Sequence, residues 1–275
     1  MSGKKDKYID IEDVIRKKNP RLLKWMPRFV LRYIKRVLRE DSINDFMARR
    51  GELQNLEFLE KVIEDFGIQV ECVGEENIPI SRPVIFAANH PLGGMDGIVF
   101  MHVLGKYRQD IKFLVNDILL NLKNLENLFV PVNKHGSQRR EGQSGIEATY
   151  AGNDAVLVFP AGLVSRKQKN GIMDLEWKKS FISKAKKYEK DVVPVYIEGR
   201  NSSFFYNFAR LRTWLGIKSN IEMFYLPGEM FDQKGKKVRI HIGKPISYQY
   251  FDGSKSEKEW AEYMKQQVYS LAPRH

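Results

Sequence analysis

One cysteine in 275 residues, no apolar run of membrane-spanning length and no apolar stretch in its first eleven residues set the first limits on this chain. With Cys72 alone, neither a disulfide framework nor a cysteine-based metal site can form. Cys72 lies in a stretch, Ile68 to Val73, that alternates as a strand does, which favours a buried structural thiol over a nucleophile. The most apolar region, Val84 to Leu104, is interrupted by Asn89, His90 and Asp96, so it falls short of the roughly eighteen consecutive apolar residues of a transmembrane helix. Residues Met1 to Ile11 are polar and charged, without the apolar core of a secretory signal, and the chain is expected to stay in the cytoplasm. No His, Asp and Glu cluster has metal-ligand spacing: His102, His135, His241 and His275 are scattered, and no metal or cofactor is expected.

Acidic residues are missing from one segment in particular. Arg16, Lys17, Lys18, Arg21, Lys24, Arg28, Arg32, Lys35, Arg36 and Arg39 follow one another with no Asp or Glu among them, and account for ten of the formal net charge of +12. Such a surplus implies an anionic partner, either nucleic acid or lipid headgroups. Over the same stretch Leu22, Leu23, Met26, Phe29, Val30, Tyr33, Ile34, Val37 and Leu38 recur at steps of three and four, giving an apolar face opposite a basic one. A helix that reads a nucleic-acid groove needs side chains for phosphates and base edges, whereas an interfacial helix needs both an apolar and a basic face. Residues 1–66 are therefore read as a basic amphipathic helical segment that associates with an anionic membrane surface through Lys24, Trp25, Arg28, Phe29, Arg32, Lys35 and Arg36, with no nucleic acid expected. The alternative, an apolar stripe packed on the rest of the protein with its charges solvated, stays open. Pro27 is expected to kink or divide the helix.

Hydrophobic residues make up 43% of the chain and aromatics 12%, enough for one large core. After an amphipathic stretch from Leu53 to Phe66, apolar runs rich in Val, Ile and Phe alternate with helical patterns. Strands are predicted at Ile68–Val73, Val84–Ala88, Lys112–Val115, Leu128–Val132, Ala155–Phe159, Val192–Ile197 and Val238–Ile242. Helices are predicted at Asp96–Leu104, Gly142–Ala151, Leu175–Tyr188 and Lys255–Leu271. The pattern implies an α/β domain over residues 67–275, with a mixed, largely parallel central sheet flanked by helices. The aromatic residues Phe204, Phe205, Tyr206, Phe208 and Trp214 fit an acyl-chain guide, a lipid-dipping patch or ordinary core.

The strand Val84–Ala88 runs straight into Asn89-His90-Pro91-Leu92-Gly93-Gly94-Met95-Asp96-Gly97. A neutral imidazole suits removal of a hydroxyl proton near pH 7, and a carboxylate on its other nitrogen fixes the tautomer and stabilises the imidazolium. Residues six apart do not share a helix face, so His90 and Asp96 can pair only if the Gly93-Gly94 turn folds Asp96 back. On residues alone, a capping Asp96 beside a solvated His90 fits as well.

Asn-His followed after a short gap by Asp resembles the signature of the glycerolipid and lysophospholipid acyltransferases, with one residue more here than the usual four between His and Asp. The glycine-rich version is similar to the haemolysin-like branch, which includes acyltransferases of bacterial amino-acid lipids such as ornithine and glycine lipids. The family's second block, a strand ending in a phosphate-holding arginine, matches Leu128 to Lys134, where Asn133 replaces the arginine and Lys134 supplies only a point charge. Its third block resembles Phe159-Pro160-Ala161-Gly162-Leu163-Val164-Ser165-Arg166, with Ala161 in place of the family's glutamate. A fourth resemblance is Val192-Val193-Pro194-Val195, followed by Glu198-Gly199-Arg200-Asn201-Ser202.

The resemblance implies a membrane-associated O-acyltransferase at the cytoplasmic face of the inner membrane. His90 and Asp96 would be catalytic, with His90 as general base. Asn89, Gly93, Gly94, Asn133, Lys134, Gly162, Arg166 and Arg200 would bind substrate, and the main-chain N–H groups at Gly93 and Gly94 would face the oxyanion. The co-substrate would be an acyl carrier protein or coenzyme A thioester. The departures at Asn133 and Ala161 favour a lyso-glycine or lyso-ornithine lipid over 1-acylglycerol-3-phosphate or another lysophospholipid as acceptor. Two other readings are a non-catalytic basic protein that binds membranes or RNA, and a hydrolase; against the latter, the chain has no Gly-x-Ser-x-Gly elbow.

Overall fold

A computed structural model describes residues 7–132, 138–169 and 171–273. Five helices come first: α1 (Ile11–Lys18), α2 (Pro20–Trp25), α3 (Arg28–Val37), α4 (Glu40–Arg50) and α5 (Asn55–Asp65). They lead into β1 (Gln69–Val73), β2 (Val84–Ala88), α6 (Gly94–Gly105), β3 (Ile111–Val115), β4 (Phe129–Pro131), α7 (Gln138–Ala151) and β5 (Ala155–Val158). A small hairpin, β6 (Arg166–Gln168) and β7 (Gly171–Met173), precedes α8 (Ser180–Lys187) and β8 (Asp191–Ile197). Then follow α9 (Ser203–Trp214), α10 (Leu226–Phe231), β9 (Lys237–Ile242) and α11 (Glu257–Ser270).

Seven strands form one sheet in the order β1-β9-β8-β2-β5-β3-β4. Every neighbouring pair is parallel except β8 with β9, which matches the mixed, largely parallel sheet read from the sequence. Strand β2 lies at the centre with all five residues buried. Val84, Phe86 and Ala88 enter the core shared with α4, α5 and α6, while Ile85 and Ala87 enter the opposite core with α8 and α11. Burial on both faces is why β2 reads as an unbroken apolar run rather than an alternating one.

All seven sheet strands lie where the apolar runs predict them, with ends shifted by at most one residue. The predicted helix Leu175–Tyr188 starts only at Ser180. Its first residues have tertiary partners instead: the Trp177 indole donates to Asp174 Oδ2 at 2.9 Å and Lys178 N–H donates to the Pro160 carbonyl at 3.0 Å. The β6–β7 hairpin and helices α9 and α10 were not anticipated.

Pro27, in extended conformation, divides α2 from α3, as its missing N–H and fixed φ require. Breaks at Asn19 and at Arg39, which has φ of 55°, divide the segment further. The apolar stripe splits as well. Of its residues Leu23, Met26, Val30, Ile34, Val37 and Leu38 are half-buried, whereas Leu22, Phe29 and Tyr33 are exposed, as is the neighbouring Trp25. Phe46 and Met47 of α4 and Phe58, Leu59, Val62 and Ile63 of α5 belong to the same core as the sheet. Among the described residues, no helix is long and apolar enough to cross a membrane.

Candidate active site

The register of the sheet gathers three chain exits at one edge. Ala87 of β2 pairs with Val158 of β5, and Ala88 with Val195 of β8, so the segments after these strands emerge side by side at their carboxyl ends, the usual place for a ligand in such a sheet. Asn89 locks two of them together. Its Nδ2 donates to the Ile197 carbonyl at 3.0 Å and its Oδ1 accepts from Ile197 N–H at 2.7 Å. The Asn89 amide thus continues the sheet past the end of β2. Both polar atoms of the side chain thus have main-chain partners.

The turn that follows brings Asp96 back to His90. Gly93 has φ of 77° and ψ of −126°, a conformation essentially reserved for glycine, and a Cβ there would stand 3.1 Å from Leu226. Helix α6 starts at the next residue. Asp96 Oδ2 lies 2.8 Å from His90 Nδ1 and accepts the main-chain N–H of Leu92 at 2.7 Å and of Gly93 at 3.0 Å. The carboxylate therefore both caps α6 and holds the imidazole, combining the two alternatives the sequence left open. Burial pushes the fully buried Asp96 carboxyl above the usual carboxylate range, and His90 with the two N–H groups pulls it back. The Gly93 N–H is thus given to Asp96.

The third block supplies the floor of the site. Phe159 stacks on the His90 ring, with centroids 4.1 Å apart and planes 14° apart. One face of the imidazole and its Nδ1 are thus occupied, while the side chain keeps 18% exposure. Gly162 has φ of 66° and its N–H closes a turn onto the Phe159 carbonyl at 3.0 Å, so its role in this structure is to shape the loop.

Behind the imidazole lies a buried network that the sequence did not reveal. Asp174 Oδ1 accepts the His90 N–H at 3.1 Å and the Ser165 hydroxyl at 2.5 Å, and its Oδ2 accepts the Trp177 indole. Ser165 N–H donates to the His90 carbonyl at 2.8 Å, and Asp174 N–H donates to Tyr269 Oη at 2.7 Å. The main chain of His90 is therefore held at both its N–H and its carbonyl. The Ser165 hydroxyl hydrogen is thus given to Asp174 and not to the His90 ring.

The remaining expected residues are dispersed. Arg166 is buried: its guanidinium meets Glu222 at 2.7 Å and lies 5.2 Å from the Phe205 ring centre. Glu222, fully buried, also meets Arg212 at 2.7 Å. An arginine so engaged has its charge answered within the protein. Arg200 is exposed beyond the end of β8. Asn133 and Lys134 lie outside the described residues; β4, which precedes them in the sequence, is an edge strand three places from β2. In the N-terminal segment Lys24, Trp25, Arg28, Phe29, Arg32 and Arg36 are exposed, but Lys35 turns inward to Glu12 at 3.3 Å and Glu40 at 3.8 Å. A groove of about 480 Å³ runs along α3 between Phe29, Val30, Arg32, Tyr33 and Arg36; His90 and Asp96 do not line it.

Comparison with known proteins places this geometry in context. The sequence model of a family described as acyltransferase matches residues 13–274. A lyso-glycine lipid O-acyltransferase of Bacteroides thetaiotaomicron is 45% identical over 264 residues, covering 96% of this chain and 97% of that protein. The protein of the same name from Phocaeicola vulgatus is 44% identical, over 96% of this chain and 95% of its own. Among solved structures, a 1-acyl-sn-glycerophosphate acyltransferase from Thermotoga maritima has a similar fold, with a TM-score of 0.50 and 18% identity over 91% of this chain and 99% of that one.

Proposed function

Because the chain belongs to the acyltransferase family, we propose that it transfers a fatty acyl group to the hydroxyl of a lyso-glycine lipid, with His90 as general base and Asp96 as the group that orients it. The observation that carries this reading is the 2.8 Å contact between His90 Nδ1 and Asp96 Oδ2 at the end of the central strand. A carboxylate oxygen that already accepts two main-chain N–H groups presents a lone pair to the ring, so Nδ1 carries the proton and Nε2 is left as the base.

The reaction then runs in one displacement. Nε2 takes the proton of the acceptor hydroxyl as its oxygen attacks the carbonyl carbon of the acyl thioester. The C–O bond forms, the C–S bond breaks, and the proton passes from the imidazolium to the departing thiolate. Asp96 stabilises the imidazolium between these steps, and no acyl-enzyme intermediate is needed. Gly94 opens α6, where N–H groups lack acceptors within the helix, and is the donor we assign to the tetrahedral oxyanion. The donor is an acyl carrier protein or coenzyme A thioester.

The acceptor reading draws support from the two glycine-lipid relatives and from the absence of a fixed guanidinium at Asn133. The exposed aromatic and basic side chains of α2 and α3 fit attachment to the cytoplasmic face of the inner membrane. Purified protein offered an N-acylated glycine bearing a 3-hydroxy acyl chain, alongside lysophosphatidic acid, with labelled acyl donor, tests the proposal. Selective acylation of the glycine lipid is expected; selective acylation of lysophosphatidic acid would overturn the acceptor assignment.

A further inference from the structure

Helix α9 turns two unlike faces in opposite directions. Phe205, Tyr206 and Ala209 are buried. Phe204, Leu211, Trp214 and Leu215 recur at helical spacing on the other side and are exposed, as is Phe224 in the 3-10 turn Ile221–Tyr225 that follows. Trp214 is 80% exposed, close to the 84% of Trp25 in α2. So many large apolar side chains aligned on one open surface mark a contact site.

The charge of the stretch says what it contacts. Between Gly199 and Ile221 stand Arg200, Arg210, Arg212 and Lys218, with no Asp or Glu. Arg212 is paired with Glu222, but Arg200, Arg210 and Lys218 are exposed. Exposed aromatics among unopposed basic side chains also describe α2 and α3, and the two places are joined. Tyr33 Oη of α3 lies 2.9 Å from Tyr225 Oη, and the edges of Phe204 and Phe208 meet the Tyr225 ring at 4.9 Å and 5.4 Å between centroids.

We infer that the outer face of α9 and the Ile221–Tyr225 turn form a second lipid-contacting surface, docking on an anionic bilayer together with α2 and α3. The inference deepens the proposed function and rests on its reading of the enzyme as working at a membrane. Tryptophan favours the level of the headgroups, where its ring is apolar and its N–H is wet. Basic side chains there meet anionic lipid. The surface also adjoins the chemistry, because Leu226, directly after the turn, packs over Gly93 and Met230 over Gly94. An acceptor held at this level reaches the His90 turn without leaving the bilayer.

Tryptophan fluorescence reads the two surfaces separately. Of the four tryptophans, Trp177 and Trp260 are buried, so Trp25→Phe leaves Trp214 as the exposed reporter and Trp214→Phe leaves Trp25. Full-length variants are mixed with vesicles of phosphatidylcholine and phosphatidylglycerol carrying bromine on the acyl chains. Quenching of both reporters is expected, together with about tenfold or more weaker vesicle partitioning of the Trp214→Ala, Leu215→Ala, Phe224→Ala triple variant. Thermal unfolding of that variant at the wild-type temperature shows that the loss is at the surface. Quenching of Trp25 without Trp214 would overturn the inference and leave the membrane reading of function standing. No quenching of either reporter would overturn both. Equal partitioning into phosphatidylcholine alone would overturn the anionic-surface assignment. A dimer in solution that the triple variant converts to monomer would assign the face to a second copy and overturn the inference.

Discussion

The Ser165 hydroxyl donates to Asp174 at 2.5 Å while Asp174 accepts the main-chain N–H of His90, so a residue from the third sequence block and a carboxylate nine residues later clamp the first. Asp174 has three donors and, among the described residues, no cationic partner in contact. Replacing it with asparagine keeps its volume but turns an N–H₂ group toward donors. Turnover is expected to fall by up to about 10²-fold with KM nearly unchanged, since a small displacement of the base is felt in the reacting geometry. Steady-state kinetics at matched folded fraction check this; loss of KM and turnover together, with a lower Tm, would instead indicate general destabilisation.

Substitution of His90 by alanine removes the base, and acyl transfer is expected to fall by about 10²–10⁴-fold. Asp96→Asn keeps the shape of the turn but favours the wrong tautomer, and turnover is expected to drop with little change in KM. Radiolabelled acyl transfer, with circular dichroism to establish folding, measures both.

Glu222 separates two guanidiniums, Arg166 and Arg212, at 2.7 Å each. Glu222→Gln leaves two buried cations without a counter-charge, a loss on the order of 3–5 kcal/mol. For a domain of this size the midpoint of thermal unfolding is expected to fall by roughly 10 °C. Scanning calorimetry tests it. A large change in acceptor KM at unchanged Tm would restore Arg166 as a substrate contact.

Burial, with Glu75 nearby, pushes the Cys72 thiol up to about 11. A raised thiol is protonated at pH 8, with thiolate a fraction on the order of 10⁻³, so its reaction with Ellman's reagent is expected to be about two orders of magnitude slower than that of an ordinary thiol. The rate should rise tenfold per pH unit until about pH 11. Alkylation with iodoacetamide at pH 8 should leave acyl transfer intact; rapid inactivation would give Cys72 a role the structure does not.

Strand positions and the His90–Asp96 turn were legible because their signals are local. An apolar run such as Val84–Ala88 announces a central strand, and two adjacent glycines announce a turn that can carry one residue more than the usual spacing. The structure absorbs that residue at Gly93, whose positive φ no other residue would adopt cheaply. Asp174 was not legible, since its partner His90 stands 84 residues earlier and nothing around it distinguishes a clamp from a turn. Arg166 misled for the opposite reason. A basic residue after a family block reads as a ligand contact, and only its distance to Glu222, 56 residues later, shows that its charge is already answered. The N-terminal segment was half legible: helical spacing predicts an apolar stripe but does not say which part of it the protein covers.

The placement of β9 between β1 and β8 has a consequence for synthesis. Among the described residues, strand β1 is hydrogen-bonded to no strand other than β9, whose Arg239 is made 168 residues after its partner Glu71. Until then the nascent chain holds a bare strand edge on β1 and another on β8. A stop codon before Lys237 would therefore not yield a shortened enzyme but an open sheet prone to pair with its neighbours, because the sheet closes only once β9 has been made.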